Sequence, residues 1–284
     1  MPHTRMLPQV TGHPLHEPPP AGTVGRPMAN LRRTLLTVLP KVPLSRLCGL
    51  VTSLPLPRGL RAGFFRWFAR RYGAALDDID GDLRDFRSLQ AFFRRPLRQG
   101  ARPLGDADLV WPCDGRIVTA GHVQAGRIPQ VKGHDYDLAD LLGDADLARD
   151  LAHGHQATIY LAPGDYHRVH SPFAGEVLSV RAIPGTLFPV NPPAVRCIDR
   201  LFVRNSRHVF HCRTSAGEPA AVVMVGAYNV GGTRVTVAHG PVDKGQELGQ
   251  FGFGSTVVVV LGEGAPAFAP VAPEHRVRMG ADAT

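Results

Sequence analysis

The sequence predicts an α+β protein: N-terminal amphipathic helices followed by a compact, mostly antiparallel β-rich domain. Three observations carry this. Residues 31–73 place apolar side chains at helical spacing with Arg and Lys between them. From about residue 108 the pattern changes to short runs bounded by Gly, Pro and Asp, such as "GRIVTAGHV", "ATIYLAP", "GEVLSVRAI" and "STVVVVLG". Pro (26) and Gly (31) are plentiful in the 284 residues, which favours turns and short strands over long helices.

Each segment follows from its composition. Residues 1–30 are rich in Pro and His without apolar periodicity and read as a disordered tail. Residues 31–100 read as a helical, membrane-associating region. In "RGLRAGFFRWFARRYG", Leu60, Phe64, Trp67, Phe68 and Tyr72 recur at helical spacing, with Arg61, Arg66, Arg70 and Arg71 among them. A helix packed on a core explains the spacing. The density of aromatics beside arginines favours an interfacial helix, with Phe64, Trp67 and Phe68 at the bilayer. "FRSLQAFFRRPLRQGARPL" predicts a short helix ended by Pro96. Residues 101–284 form the β-rich domain, interrupted by one helical signal over 137–154. "CDGRIVTA" and "FAGEVLSV" share a glycine turn and an alternating strand, the mark of a weak internal repeat.

Composition narrows the partners. With 44% hydrophobic and 20% charged residues the chain is globular, and it is long enough to bury a substantial core. The net charge of +8 points to an anionic partner: nucleic acid, anionic lipid or a phosphorylated substrate. No window holds the ~18 apolar residues needed to span a bilayer, and no secretory signal is seen. Cys48, Cys113, Cys197 and Cys212 form no C-x-x-C pair, so reduced thiols in a cytoplasmic setting are expected. Cys197, His208, His211 and Cys212 match no common zinc spacing, and no metal is expected.

Chemistry concentrates in "WPCDGRI", "YLAPGDYHRVHSPFAGEV", "VGAYNVGGTRV" and "KGQELGQFGFGSTVVVV". Asp114, His167 or His170, and Ser255 are the parts of a relay in which His takes the Ser proton and Asp orients the ring. An α/β-hydrolase would need G-x-S-x-G between strand and helix, and "FGFGSTV" offers neither. A Gly-Ser bond at a strand entrance allows other chemistry. The Ser255 hydroxyl can attack the Gly254 carbonyl, shift the acyl group from N to O, and eliminate it to leave dehydroalanine, which hydrolyses to a pyruvoyl group. Glycine minimises the bulk around the attacked carbon. In an ideal strand His167 and His170 would face opposite sides, so a shared site needs a bend between them.

The ordered set "FRSLQAFFRRPLR", "PCDGRI", "VKGHDYDLADLL", "DYHRVHSP", "GTLFPVNP", "LFVRNSR" and "KGQELGQFGFGST" resembles the phosphatidylserine decarboxylases, from about Leu31 to Gly280. The resemblance implies cleavage at Gly254-Ser255 into a β chain (1–254) and an α chain (255–284), with Ser255 becoming the pyruvoyl cofactor. Asp114, His170 and Ser255 match the self-processing triad, and His167 the histidine of decarboxylation. The pyruvoyl ketone would form a Schiff base with phosphatidylserine and release carbon dioxide, giving phosphatidylethanolamine. The implied setting is peripheral, on the cytoplasmic side of the cell membrane, with an anionic membrane surface and no nucleic acid as partner. A dimer of αβ units is compatible with this. Phe253 stands where Leu is usual, and Gly232 and Thr233 where Ser and a β-branched residue are common. The connection from "TRVTVAHG" to "KGQELG" is shorter than in many relatives. Two other readings are a pyruvoyl decarboxylase of a soluble amino acid and a catalytically silent β-rich module that binds membranes or nucleic acid.

Overall fold

The apolar runs of the second half become a sheet whose central strands are buried on both faces. The computed structural model describes residues 47, 49–131, 134–227, 233–252 and 255–284. The N-terminal tail, most of 31–48, Gly232, Phe253 and Gly254 lie outside the described residues. The elements run α1 (Arg58–Tyr72), α2 (Leu89–Phe93), β1 (Gly115–His122), β2 (Arg127–Val131), β3 (His134–Asp137), α3 (Leu138–Leu142), α4 (Ala145–Asp150), β4 (His155–Leu161), β5 (Arg168–His170) and β6 (Gly175–Ile183). They continue α5 (Pro192–Cys197), α6 (Leu201–Arg204), β7 (Arg207–Thr214), β8 (Pro219–Gly226), β9 (Arg234–Val235), β10 (Gly240–Val242), β11 (Glu247–Gln250), β12 (Ser255–Leu261) and β13 (Arg276–Val277). The main sheet has the order β10-β6-β7-β8-β12-β4-β1-β13, and every pairing in it is antiparallel. Three short strands, β5-β11-β9, form a second sheet.

β12 is central, paired along its whole length with β4 and β8, and buried at every residue. That is why it reads as a continuous valine run rather than an alternation. Ser255, Val257, Val259 and Leu261 share one face. The last three belong to a core with Ile159, Leu161, Met224, Leu248 and Phe251.

The internal repeat is real in three dimensions. β1 and β6 each begin on a glycine, Gly115 and Gly175, and each is bulged two residues later, between Ile117 and Thr119 and between Val177 and Ser179. Each lies between one long strand and one short edge strand. A Cβ on Gly115 would lie 2.6 Å from the Tyr160 carbonyl oxygen, and one on Gly175 2.1 Å from that of Arg213, so neither position has room for a side chain. The chains entering the two strands are tied reciprocally: Val110 N donates to Pro172 O (2.8 Å) and His170 N to Pro112 O (2.8 Å).

The helices obey local signals. α1 stops at left-handed Gly73 (φ 75°), with Arg70 and Arg71 in its last turn where the dipole favours cations. Ser88 caps α2 by accepting from Ala91 N. The single helical signal over 137–154 proves to be two helices, because Gly143 (φ 62°) ends α3 and Asp144 caps α4.

One expectation needs correction. Phe68 does not face a bilayer: it is 3% exposed, in a cluster with Phe65, Phe86, Phe92 and Phe93. Phe65 stacks on Phe92 (4.6 Å, 11°), and Phe68 meets Phe93 edge-on (5.6 Å). The aromatics of α1 divide between two faces. Phe65 and Phe68 turn inward, Phe64 is half-buried, and Leu60 (64%) and Trp67 (52%), seven residues apart, turn outward. No helix among the described residues is long and apolar enough to cross a membrane.

Candidate active site

Ser255 is the first residue of β12, opposite Leu161 on β4 and Gly226 on β8. It is wholly buried, and its Oγ has no hydrogen-bond partner among the described residues. A buried hydroxyl left unpaired costs about 1–3 kcal/mol. Thr256, facing the other side, is likewise buried and unpaired.

The second sheet positions the histidines. β5 pairs with β11, with Glu247 opposite His170 and Gln250 opposite Arg168, and Phe251 N donates to His167 O (2.9 Å). Arg168 clamps the pairing through Glu247 (2.8 Å) and reaches Arg94 O (2.7 Å). His167 lies just before β5 and His170 ends it, so the two rings meet different partners.

His167 Nδ1 donates to Asp165 O (2.8 Å), which fixes the neutral tautomer with its lone pair on Nε2. That Nε2 is buried and unpaired among the described residues. The ring packs edge-on against Phe93 (4.9 Å). Burial, and then the Arg95 cation, push its pKa down to about 3. His170 has both nitrogens engaged. Nδ1 donates to Gly245 O (2.8 Å), so Nε2 accepts from the Tyr166 hydroxyl (3.1 Å). Burial lowers its pKa as well.

Asp114 stands in the turn before β1. Arg102 holds it with two bonds, Nε to Oδ1 (3.0 Å) and Nη2 to Oδ2 (2.6 Å), and Met279 N donates to Oδ1 (2.9 Å). Arg102 also donates to Asp78 (2.7 Å). The Asp114 charge acts favourably on both histidines in their protonated form. Backbone bonds tie the turn before Asp114 to the strand that carries His170, and Phe251, four residues before Ser255, to His167. Asp114, His170 and Ser255 are not hydrogen-bonded to one another among the described residues.

Five residues around the candidate site carried no signal in the sequence: Arg95, Arg102, Tyr166, Arg168 and Glu247. Arg95 and Arg102 lie in "FFRRPLRQGARPL", where nothing in the residue types marks which cations are buried. Asp165 is also close by. Its Oδ2 accepts from Ala162 N (2.7 Å), and burial pushes its carboxyl up. His211 and Cys212 are consecutive on β7 and so project to opposite faces; burial raises the Cys212 thiol to about 12. A cavity of about 590 Å³ lies elsewhere, lined by Arg116, Tyr160, Val195 and Pro273 and by none of the site residues.

Among the described residues a serine hydroxyl and a histidine nitrogen are buried without partners, and a carboxylate whose charge acts on that histidine is held by arginine, which makes a candidate enzyme site in a β-rich domain. A model of the phosphatidylserine decarboxylase family matches residues 89–283. A phosphatidylserine decarboxylase proenzyme of Anaeromyxobacter sp. (strain K) is 43% identical over 270 residues, covering 86% of this chain and 94% of the relative. Proenzymes of the same name from Chromobacterium violaceum (40% identical; 82% and 90% covered) and Alcanivorax borkumensis (39%; 87% and 92%) are similar too. The chain belongs to the phosphatidylserine decarboxylase family and is a carboxy-lyase.

Proposed function

We propose that this chain is a proenzyme that cleaves itself at Gly254-Ser255 and then decarboxylates phosphatidylserine to phosphatidylethanolamine. The observation that carries the reading is the buried, partnerless Ser255 hydroxyl at the head of a fully paired strand. It fits a group that is consumed by a reaction rather than kept for structure, and so fits a pyruvoyl group at this position.

In self-processing, Ser255 Oγ attacks the Gly254 carbonyl carbon and gives its proton to a base. The C–O bond forms, the C–N bond breaks, and the proton passes to the freed Ser255 nitrogen. Removal of the Ser255 Cα proton then breaks the Cβ–O bond, releasing the Gly254 carboxylate. The dehydroalanine left behind takes up water and loses ammonia. By resemblance His170 is the base and Asp114 its support. For that, the Tyr166 hydroxyl must leave His170 Nε2. Ser255 Oγ and His167 Nε2 need no bond broken before they react.

A pyruvoyl group at residue 255 would supply a ketone that condenses with the substrate amine and draws off the electrons of the lost carboxylate. His167 would accept a proton at Nε2 and pass it on, with its tautomer set by Asp165 O. The buried surroundings of residue 255 exclude water. The α chain stays bound after cleavage because β12 is paired on both sides. Exposed Leu60 and Trp67, with the net charge of +8, support docking on an anionic membrane surface, peripherally on the cytoplasmic side. Those exposed apolar residues favour a lipid over a soluble amino acid as substrate.

Carbon dioxide release from phosphatidylserine in mixed micelles tests the reading. The parent should turn the lipid over and Ser255→Ala should not. Release from free serine at an equal rate would contradict it.

A further inference from the structure

Arg95 is an arginine buried in the interior without a carboxylate partner. It is 2% exposed, and among the described residues no acid pairs with it. Its Nη2 donates to Gly164 O (3.0 Å) and Asp165 O (3.1 Å), and its guanidinium lies over the Phe92 ring (5.0 Å). Nε has no acceptor. Burial pushes its pKa down to about 10, which leaves it a cation at neutral pH. The Asp114 and Asp165 carboxylates act favourably on it from a distance, but a buried charge with no ion pair is costly, and such cost tends to be retained where the charge acts on a neighbour.

The neighbour is His167. Asp165 O accepts from Arg95 Nη2 and from His167 Nδ1 at once. The turn that carries this carbonyl is held from both sides. A Cβ on Gly164 would lie 2.1 Å from Tyr72 O at the end of α1, so the turn is pressed against that helix while Arg95 grips it from just beyond α2. The charges acting on the ring are Arg95, following α2, and Asp114, preceding β1, with opposite sign. Asp165 Oδ2 is turned to Ala162 N, and Arg168 to Glu247.

We propose that Arg95 is a positioning residue for His167: it anchors the carbonyl that takes the Nδ1 hydrogen and sets a cation beside the ring, fixing His167 as a neutral imidazole with a free Nε2. This deepens the function proposed above and rests on His167 having a part in it. Sign follows from charge. A cation opposes protonation, so removing it raises the His167 pKa. Chemistry that needs neutral His167 is present above that pKa and lost as pH falls through it, so the acid limb should move to higher pH.

The test uses the full chain with Ser255→Ala, labelled with ¹⁵N-histidine, with and without Arg95→Gln or Arg95→Lys. In the Ser255→Ala chain itself, His167 should stay protonated at Nδ1 only, from about pH 8 to about pH 5. Arg95→Gln should raise its titration by about 1 pH unit or more, and Arg95→Lys, which keeps the charge, by less. An ordinary imidazole titration near its unperturbed value in the Ser255→Ala chain overturns the proposal even if Arg95→Gln fails to fold. So does an unmoved titration in a folded Arg95→Gln chain. Because the spectrum needs no turnover, failure of the enzymatic reading would appear separately, as absent carbon dioxide release by the parent. In the active enzyme, a loss of kcat without displacement of the acid limb would mean a structural role only and would also overturn it.

Discussion

Ser255, Asp114 and the two histidines are buried polar groups whose energetics can be tested singly. Asp114 and Arg102 have side chains 12% and 7% exposed, so their pairing is largely desolvated. Asp114→Ala should abolish self-processing and cost about 3–5 kcal/mol in urea unfolding, because it strips Arg102 of its main partner. His167 and His170 are held neutral, so the unfolded chain binds more protons than the folded one below the usual histidine pKa of 6.5. Stability should therefore fall as pH drops through about 6.5 towards 5, while most carboxylates remain ionised. Urea midpoints at the two pH values measure this, and His167→Gln should flatten the slope. Ser255, His167, His170 and Asp114 stand out in the sequence as candidates because their residue types and order are chemically unusual. Arg95, Arg102 and Tyr166 do not, since burial and bonding, not residue type, single them out. The relay order in the chain also did not reveal that Tyr166 and Gly245 occupy His170, or that Arg102 occupies Asp114.

At the scale of elements, the strands were read well because hydrophobic alternation and glycine boundaries are local signals. β12 and the pair β1 and β6 show this. The short second sheet was harder. Its strands hold two to four residues and are defined by what they pair with, not by their own pattern. The two faces of α1 were merged for a related reason: helical spacing shows that aromatics recur but not which arc meets α2. Phe92 is the hub of that contact, touching Phe65, Phe68 and Phe86. Phe92→Ala should cost about 3–5 kcal/mol in chemical denaturation and loosen the Arg95 end of α2. Gly175→Ala should destabilise by ~1–3 kcal/mol, because the new methyl meets the Arg213 carbonyl; an unchanged melting transition would disprove that crowding.

Over the whole molecule, one connected structure links a candidate docking face to the reaction site. Trp67 and Leu60 point outward from α1, whose inner face packs on the segment that carries Phe93 and Arg95 to His167. Replacing Leu60 and Trp67 by Ser should weaken binding to anionic liposomes by about tenfold or more, with self-processing intact; unchanged co-sedimentation would place the docking surface elsewhere. The central claim is that Gly254-Ser255 is a bond the protein breaks. Denaturing mass spectrometry of the purified chain tests it most directly. The account predicts two chains, 1–254 and 255–284, the shorter beginning with a blocked pyruvoyl group, and a single uncleaved chain for Ser255→Ala. A folded parent that remains one intact 30.7 kDa chain would contradict it.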